Sequence, residues 1–208
     1  MVHDKTRTDL LNFLAERYNL QRYLEIGVQN PAQNFDKIKC PHKISVDPDP
    51  AAGATFCMTS DEFFHRYWTD QQWLEENELP GWSPDLVFID GLHTAEQVKQ
   101  DFENALRVLS PWGIIILHDC NPLKEEHTIV PRPTPTGHWN GDVYRFAASL
   151  LHKGKRTVDI DNGCMVVPNG DYQVLYEPLS AWTWDIFDKS RVHALNLISW
   201  DEFVRSHS

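Results

Sequence analysis

Two short, wholly apolar runs constrain this chain most: Leu86-Val87-Phe88-Ile89 after Asp85, and Ile114-Ile115-Ile116-Leu117 after Gly113. Runs of this length without polar alternation suit strands buried on both faces of a mostly parallel sheet. Between them, residues 95–109 set Val98, Phe102, Ala105, Leu106 and Leu109 on one helical stripe, which Ser110-Pro111 and Trp112-Gly113 end. Strand, crossover helix and strand make a βαβ unit, and the same alternation runs along the rest of the chain.

Upstream, residues 6–18 read as a helix with Leu10, Leu11, Phe13 and Leu14 on its apolar face. Strands follow at Tyr23-Leu24-Glu25-Ile26, Lys43-Ile44-Ser45-Val46 and Thr55-Phe56-Cys57, so the two apolar runs are the fourth and fifth strands. Downstream, Asp142 reads as the N-cap of a helix over Val143–Leu151. Arg156–Ile160 and Cys164–Val167 flank Asp161-Asn162-Gly163, a hairpin signal that closes the sheet with an antiparallel pair. The chain thus reads as one α/β domain over residues 1–208, a doubly wound, mostly parallel sheet with helices on both faces.

Composition narrows the function classes. With 208 residues, 41% of them hydrophobic, the chain can bury one substantial core. A net charge of -11 with no dense Lys/Arg block argues against nucleic acid or an anionic membrane surface as partner. The start, MVHDKTRTDLLNFL, lacks an apolar leader core, and no stretch is long and apolar enough to span a membrane, so a cytoplasmic location is expected. Cys40, Cys57, Cys120 and Cys164 form no C-x-x-C pair and read as free thiols.

A doubly wound sheet binds its ligand beyond the carboxyl ends of its strands. Here those ends carry Glu25-Ile26-Gly27, Asp47-Pro48-Asp49, Thr59-Ser60-Asp61, Asp90-Gly91-Leu92-His93 and His118-Asp119. Isolated acids cap helices, but five consecutive polar strand ends point to a site. Asp47 lies 22 residues after Glu25, the spacing of an acid that accepts ribose hydroxyls of an adenosine cofactor.

The blocks YLEIGV, VDPDP, MTSDEFF, DLVFIDGLHTAEQVKQDFENALRVLSPWGIIILHDCNP, WNGDVYRF and LNLISWDEF resemble class I S-adenosylmethionine-dependent methyltransferases. Within them, they resemble the small group that includes sugar and macrolide O-methyltransferases. The likeness spans residues 20–205, with IDGLHT and HDCNP its most specific parts. It implies a Rossmann-like, seven-stranded sheet of order 3-2-1-4-5-7-6 with the last strand antiparallel. It also implies S-adenosylmethionine as cofactor, with Glu25, Gly27 and Val28 at its methionine end, Asp47 and Pro48 at the ribose, and Thr59, Ser60 and Asp61 near the adenine. Asp90 completes that set.

The first loop departs from the family pattern, since Gly27 is its one glycine and Asn30, the other residue suited to a left-handed turn, precedes Pro31. A non-catalytic binding or scaffold protein on this fold is therefore the alternative, while the absence of G-x-G-x-x-G after the first strand sets a nicotinamide oxidoreductase aside.

Asp90 and Asp119 end neighbouring strands, and their hard oxygens make them candidate ligands for Mg²⁺, which some related enzymes use to hold the acceptor hydroxyl. Where many relatives carry a further Asp or Asn, Cys120 stands here, a soft ligand, so Asn121 or a histidine is the candidate to complete the set. His93 and His118 are candidate general bases; the plainer readings are a cap partner for His93 and a backbone-bonded strand end for His118. Residues 121–142, broken by Pro122, Pro131, Pro133 and Pro135, read as a lid or acceptor loop in which His138 and Trp139 face a small-molecule or sugar acceptor. The aromatic tail over residues 178–208 either packs on the domain or supports a homo-oligomer.

Overall fold

Each of the two apolar runs forms a strand. The computed structural model describes residues 4–134 and 136–207; Pro135 of the expected lid and the ends of the amino-terminal and tail stretches lie outside the described residues. In chain order the strands are β1 (Arg22–Ile26), β2 (His42–Val46), β3 (Leu86–Ile89), β4 (Ile114–Leu117), β5 (Leu150–Leu151), β6 (Arg156–Val158), β7 (Cys164–Pro168), β8 (Gln173–Val174) and β9 (Leu197–Ile198). The helices are α1 (Arg7–Tyr18), α2 (Ser60–Thr69), α3 (Gln71–Glu76), α4 (Ala95–Val108), α5 (Val143–Ser149), α6 (Trp184–Leu195) and α7 (Trp200–Ser206).

The main sheet runs β2-β1-β3-β4-β7-β6-β9, with β7 antiparallel to both neighbours and the other pairs parallel. This is the expected doubly wound α/β sheet with one change at each edge. At the first edge, the expected strand over residues 55–57 shrinks to a single bridge between Val46 and Phe56. Thr55 and Ser45 exchange side-chain to backbone bonds at 3.0 and 3.1 Å, and Thr59 already caps α2, so the chain turns before a ladder extends. At the far edge β9 adds a short parallel strand beside β6. β5 and β8 pair separately, which shortens the expected helix over Val143–Leu151 to end at Ser149.

Why the central runs carry no polar alternation is visible in their packing. Leu24, Ile26, Val87, Ile89, Ile115 and Leu117 share one core with Phe102 of α4, Phe146 of α5 and Phe187 of α6. Tyr23, Phe88 and Ile116 point to the opposite core, built with Leu10, Leu11 and Leu14 of α1 and Phe203 of α7. Each fully buried side chain of this size stabilises the fold by about 1.5–3 kcal/mol. The tail packs on its own chain: Phe187, Leu195 and Phe203 are fully buried.

Asp142 departs from its expected role in an informative way. Its carboxylate does not cap α5; Oδ1 instead accepts a hydrogen bond from the Ala95 amide at 2.8 Å, in the first turn of α4, while the Thr94 side chain accepts from the Gln97 amide. Asp142→Ala is expected to cost about 1 kcal/mol, as loss of a cap does. A thermal melt of this 208-residue chain then shifts down by about 2–4 °C. An unchanged melt would show that Thr94 suffices.

Candidate functional site

A cavity of about 640 Å³ opens beyond the carboxyl ends of β1 to β4. Every cofactor and catalytic position expected from the sequence lines it: Glu25, Gly27, Val28, Asp47, Pro48, Thr59, Ser60, Asp61, Asp90, His93, His118 and Asp119.

The first loop is held from below by Asp47. Its Oδ2 accepts from the amides of Val28 at 2.8 Å and Gln29 at 3.0 Å, and Oδ1 accepts from the Asp49 amide at 2.9 Å. Asp47 thus braces the turn; Oδ2 accepts twice, and Oδ1 keeps a further lone pair for a ligand. Gly27 sits at φ +83° with its amide on Val46 O, and Gln29 at φ +52° supplies the second left-handed position. Asn30 does not; its side chain accepts from Ala32 N at 3.1 Å, so the loop keeps its turn with one glycine.

Glu25 is almost wholly buried, and Oε2 accepts from Tyr23 OH at 2.5 Å and Asn34 Nδ2 at 3.0 Å. Burial pushes its carboxyl up to about 7, against the pull of those two donors. Across the cavity, Thr59 caps α2, and Gln97 of α4 donates to Asp61 at 3.0 Å, Asp101 at 3.1 Å and Ser60 at 3.4 Å. Gln97 had no sequence signal beyond its place on a polar helix face.

The strand ends of β3 and β4 build a dense charged cluster. Asp90 Oδ1 lies 3.2 Å from His93 Nε2 and 3.0 Å from His118 Nδ1. Asp119, at φ +58°, sets Oδ2 3.2 Å from His93 Nδ1 and 3.4 Å from His118 Nδ1, while Oδ1 accepts from Asn140 Nδ2 at 2.6 Å. Arg7 of α1 bonds Asp90 Oδ2 and, through Nε at 3.0 Å, Asp161. Burial alone would hold both imidazoles down, but Asp90 and Asp119 outweigh it: His93 is raised and His118 lies well above the usual histidine range. Asp90 in turn is held well below the usual carboxylate range, because His118 and His93 overcome its burial.

The donor set fits a divalent cation. One atom each of Asp90, His93 and Asp119 lies within 4.8 Å of the others, and His93 Nδ1 is buried beside Asp119 Oδ2 with no hydrogen-bond partner. The histidine whose ring lies within this group is His93. Asn121 turns away, donating to Asp159 at 2.9 Å and accepting from Arg191 at 2.7 Å. Cys120 is buried against the carbonyls of Leu117 and His118, with its thiol pushed far up by burial, so no soft ligand enters the cluster.

One stretch of the expected lid explains its own spelling. Trp139 stacks on His93, ring centroids 5.1 Å apart and planes 17° from parallel. Asn140 bonds Asp119, Gly141 passes so close to His93 that a Cβ would lie 1.9 Å from its carbonyl oxygen, and Asp142 caps α4. Trp139-Asn140-Gly141-Asp142 is therefore a clamp that fixes both His93 and Asp119. Arg132 and His138 line the same cavity.

Residues 28–120 match the model of a family described as a methyltransferase domain. Among solved structures, the chain is similar to an S-adenosylhomocysteine-bound Podospora anserina methyltransferase, at 19% identity over 80% of each chain and TM-score 0.47. It is similar to the Streptomyces achromogenes O-methyltransferase TomG in complex with S-adenosylmethionine, at 15% identity over 77% of this chain and 78% of that one, TM-score 0.47. A Bacillus cereus O-methyltransferase in complex with S-adenosylhomocysteine follows at 16% identity over 81% and 84%, TM-score 0.44. Values this low carry no residue's role across. No curated protein matches the chain by sequence. Among the described residues, no helix is long and apolar enough to cross a membrane. Residues 28–120 are thus similar to a methyltransferase domain.

Proposed function

We propose that this chain is an S-adenosylmethionine-dependent O-methyltransferase acting on a hydroxyl of a small molecule or sugar, with a divalent cation at Asp90, His93 and Asp119. The observation that carries the reading is one cavity shared by the Asp47-braced first loop and the acid and histidine cluster. S-adenosylmethionine supplies an electrophilic methyl on a sulfonium, and a bound cation lowers the pKa of a coordinated hydroxyl.

The chain's own residues do the rest. Glu25 offers a carboxylate to the ammonium of the methionyl end, Asp47 the free lone pair of Oδ1 to a ribose hydroxyl, and Thr59, Ser60 and Asp61 frame the adenine side. The acceptor oxygen attacks the methyl carbon as the carbon–sulfur bond breaks, and His118, the imidazole outside the cation set, takes the hydroxyl proton in its neutral form. The Trp139-to-Asp142 clamp holds the acceptor side in position, which is where methyl transfer gains most. Two carboxylates with one imidazole suit Mg²⁺ and extend the choice to Mn²⁺.

Calorimetric titration with S-adenosylmethionine and S-adenosylhomocysteine, each with and without Mg²⁺, tests this. Micromolar binding is expected, weakened at least tenfold in Asp47→Ala, and a Mg²⁺ effect is expected in the parent and not in Asp119→Ala. Absence of binding to either ligand under every condition overturns the methyltransferase reading and leaves a non-catalytic scaffold.

A further inference from the structure

Arg7 is the one member of the charged cluster that comes from outside the strand ends and turns next to them. A capping box, in which Thr6 and Asp9 satisfy each other's backbone, fixes the start of α1 and places Arg7 at its first helical position. From there the backbone amide and Nε both donate to Asp161 Oδ2 at 3.0 Å, and Nη1 reaches Asp90 Oδ2 while lying 3.5 Å from His118 Nδ1. The guanidinium is thus part-buried on Asp90, whose other oxygen is already shared by His93 and His118.

This arrangement has a consequence for any metal at the cluster. Asp90 is one of the three residues whose donor atoms converge for a cation, and Arg7 is a fixed positive charge bonded to it. An arginine stays charged at any working pH, and at part-buried positions two cations on one carboxylate repel strongly. A divalent ion therefore meets a competitor that the chain itself carries. Resting on the cation reading above, we infer that Arg7 is a tethered counter-cation which shares Asp90 with the divalent ion and opposes its binding. Occupancy of the metal site is thereby coupled to release of Arg7 from Asp90.

The coupling reaches the other end of the cavity. Thr8, the next residue of α1, donates to Asn34 Oδ1 at 2.8 Å, and Asn34 donates to Glu25. Linkage is reciprocal, so a cation that loosens Arg7 is itself disfavoured by everything that docks the first turn of α1.

Mn²⁺ binding, read by electron paramagnetic resonance of the free ion and by calorimetry, tests the inference on the full chain. Four proteins are compared: the parent, Arg7→Gln, Arg7→Lys and Asp119→Ala, each checked for native circular dichroism. Arg7→Gln is expected to bind Mn²⁺ at least tenfold tighter than the parent, Arg7→Lys within about threefold of it, and Asp119→Ala at least tenfold more weakly. A second readout follows amide exchange in the first turn of α1, expected to speed up when Mn²⁺ is added to the parent. Mn²⁺ bound by the parent and lost in Asp119→Ala, but unchanged or weaker in Arg7→Gln, overturns the competition and leaves the cation site standing. Mn²⁺ bound by none of the four overturns both.

Discussion

Gly27→Ala is expected to be among the most damaging small substitutions in this chain, unfolding it at temperatures where the parent is intact. A Cβ built on Gly27 would lie 2.2 Å from Asp90 O, 2.5 Å from Asp90 C and 2.5 Å from Gly91 Cα. All three are backbone atoms of the neighbouring strand end, so no side chain can swing aside. The residue also holds φ +83°, where an L side chain costs about 1–2 kcal/mol before any collision. Together these predict a loss of more than about 4 kcal/mol, a fall in melting temperature of ~10 °C or more for a chain of this size. Whatever folded protein remains has Asp90 displaced, so Mn²⁺ binding falls with it. Gly91→Ala is the control one strand away: its nearest neighbour would be Ile26 Cγ2 at 3.4 Å, ordinary contact, and a loss under about 1 kcal/mol follows. Equal melts for the two variants would show that the β1 and β3 ends can part without cost.

The same crossing point explains what sequence reading could see. The apolar runs at β3 and β4 were legible because burial on both faces removes polar alternation, and the strand-end rule then gathered their terminal acids and histidines into one place. Asp161-Asn162-Gly163 was legible because its turn needs positive φ at all three residues, which the structure holds at 43°, 65° and 86°. What escaped was decided by crossings between segments distant in sequence. Arg7 precedes Asp90 by 83 residues and Asp161 by 154, and nothing in a helix start announces which acids the fold will bring over it. Asn140 and Gly141 stand in the WNGDVYRF stretch, yet their work is on Asp119 and His93, visible only when the loop lies across α4. The expected strand at residues 55–57 failed because side chains take over amides a ladder would use: Thr55 accepts from Ser45 N of β2, and Thr59 from Glu62 N at the start of α2.

Glu25→Gln is expected to move stability and cofactor affinity in opposite directions at the same pH. In the folded chain burial raises the Glu25 carboxyl to about 7, against an ordinary value of 4.5. Between those values the folded state binds more protons than the unfolded one, so stability falls as pH rises through the window and the ionised group is a net cost above it. A shift of this size corresponds to about 3 kcal/mol. Glutamine keeps an oxygen for Tyr23 OH and Asn34 Nδ2 and carries no charge to bury. At pH 8 the variant therefore melts about 6–12 °C above the parent, and at pH 4 the two melt together, because Glu25 is then protonated in both states. A carboxylate kept in so costly a place is stabilised when a cation arrives beside it, and the ammonium of a methionyl ligand is such a cation. S-adenosylhomocysteine is accordingly expected to bind Glu25→Gln at least tenfold more weakly at pH 8, the trade of stability for function that strained sites show. A stability gain with unchanged affinity would make Glu25 a buried partner of Tyr23 and Asn34 alone, and would move the methionine end of the ligand elsewhere in the cavity.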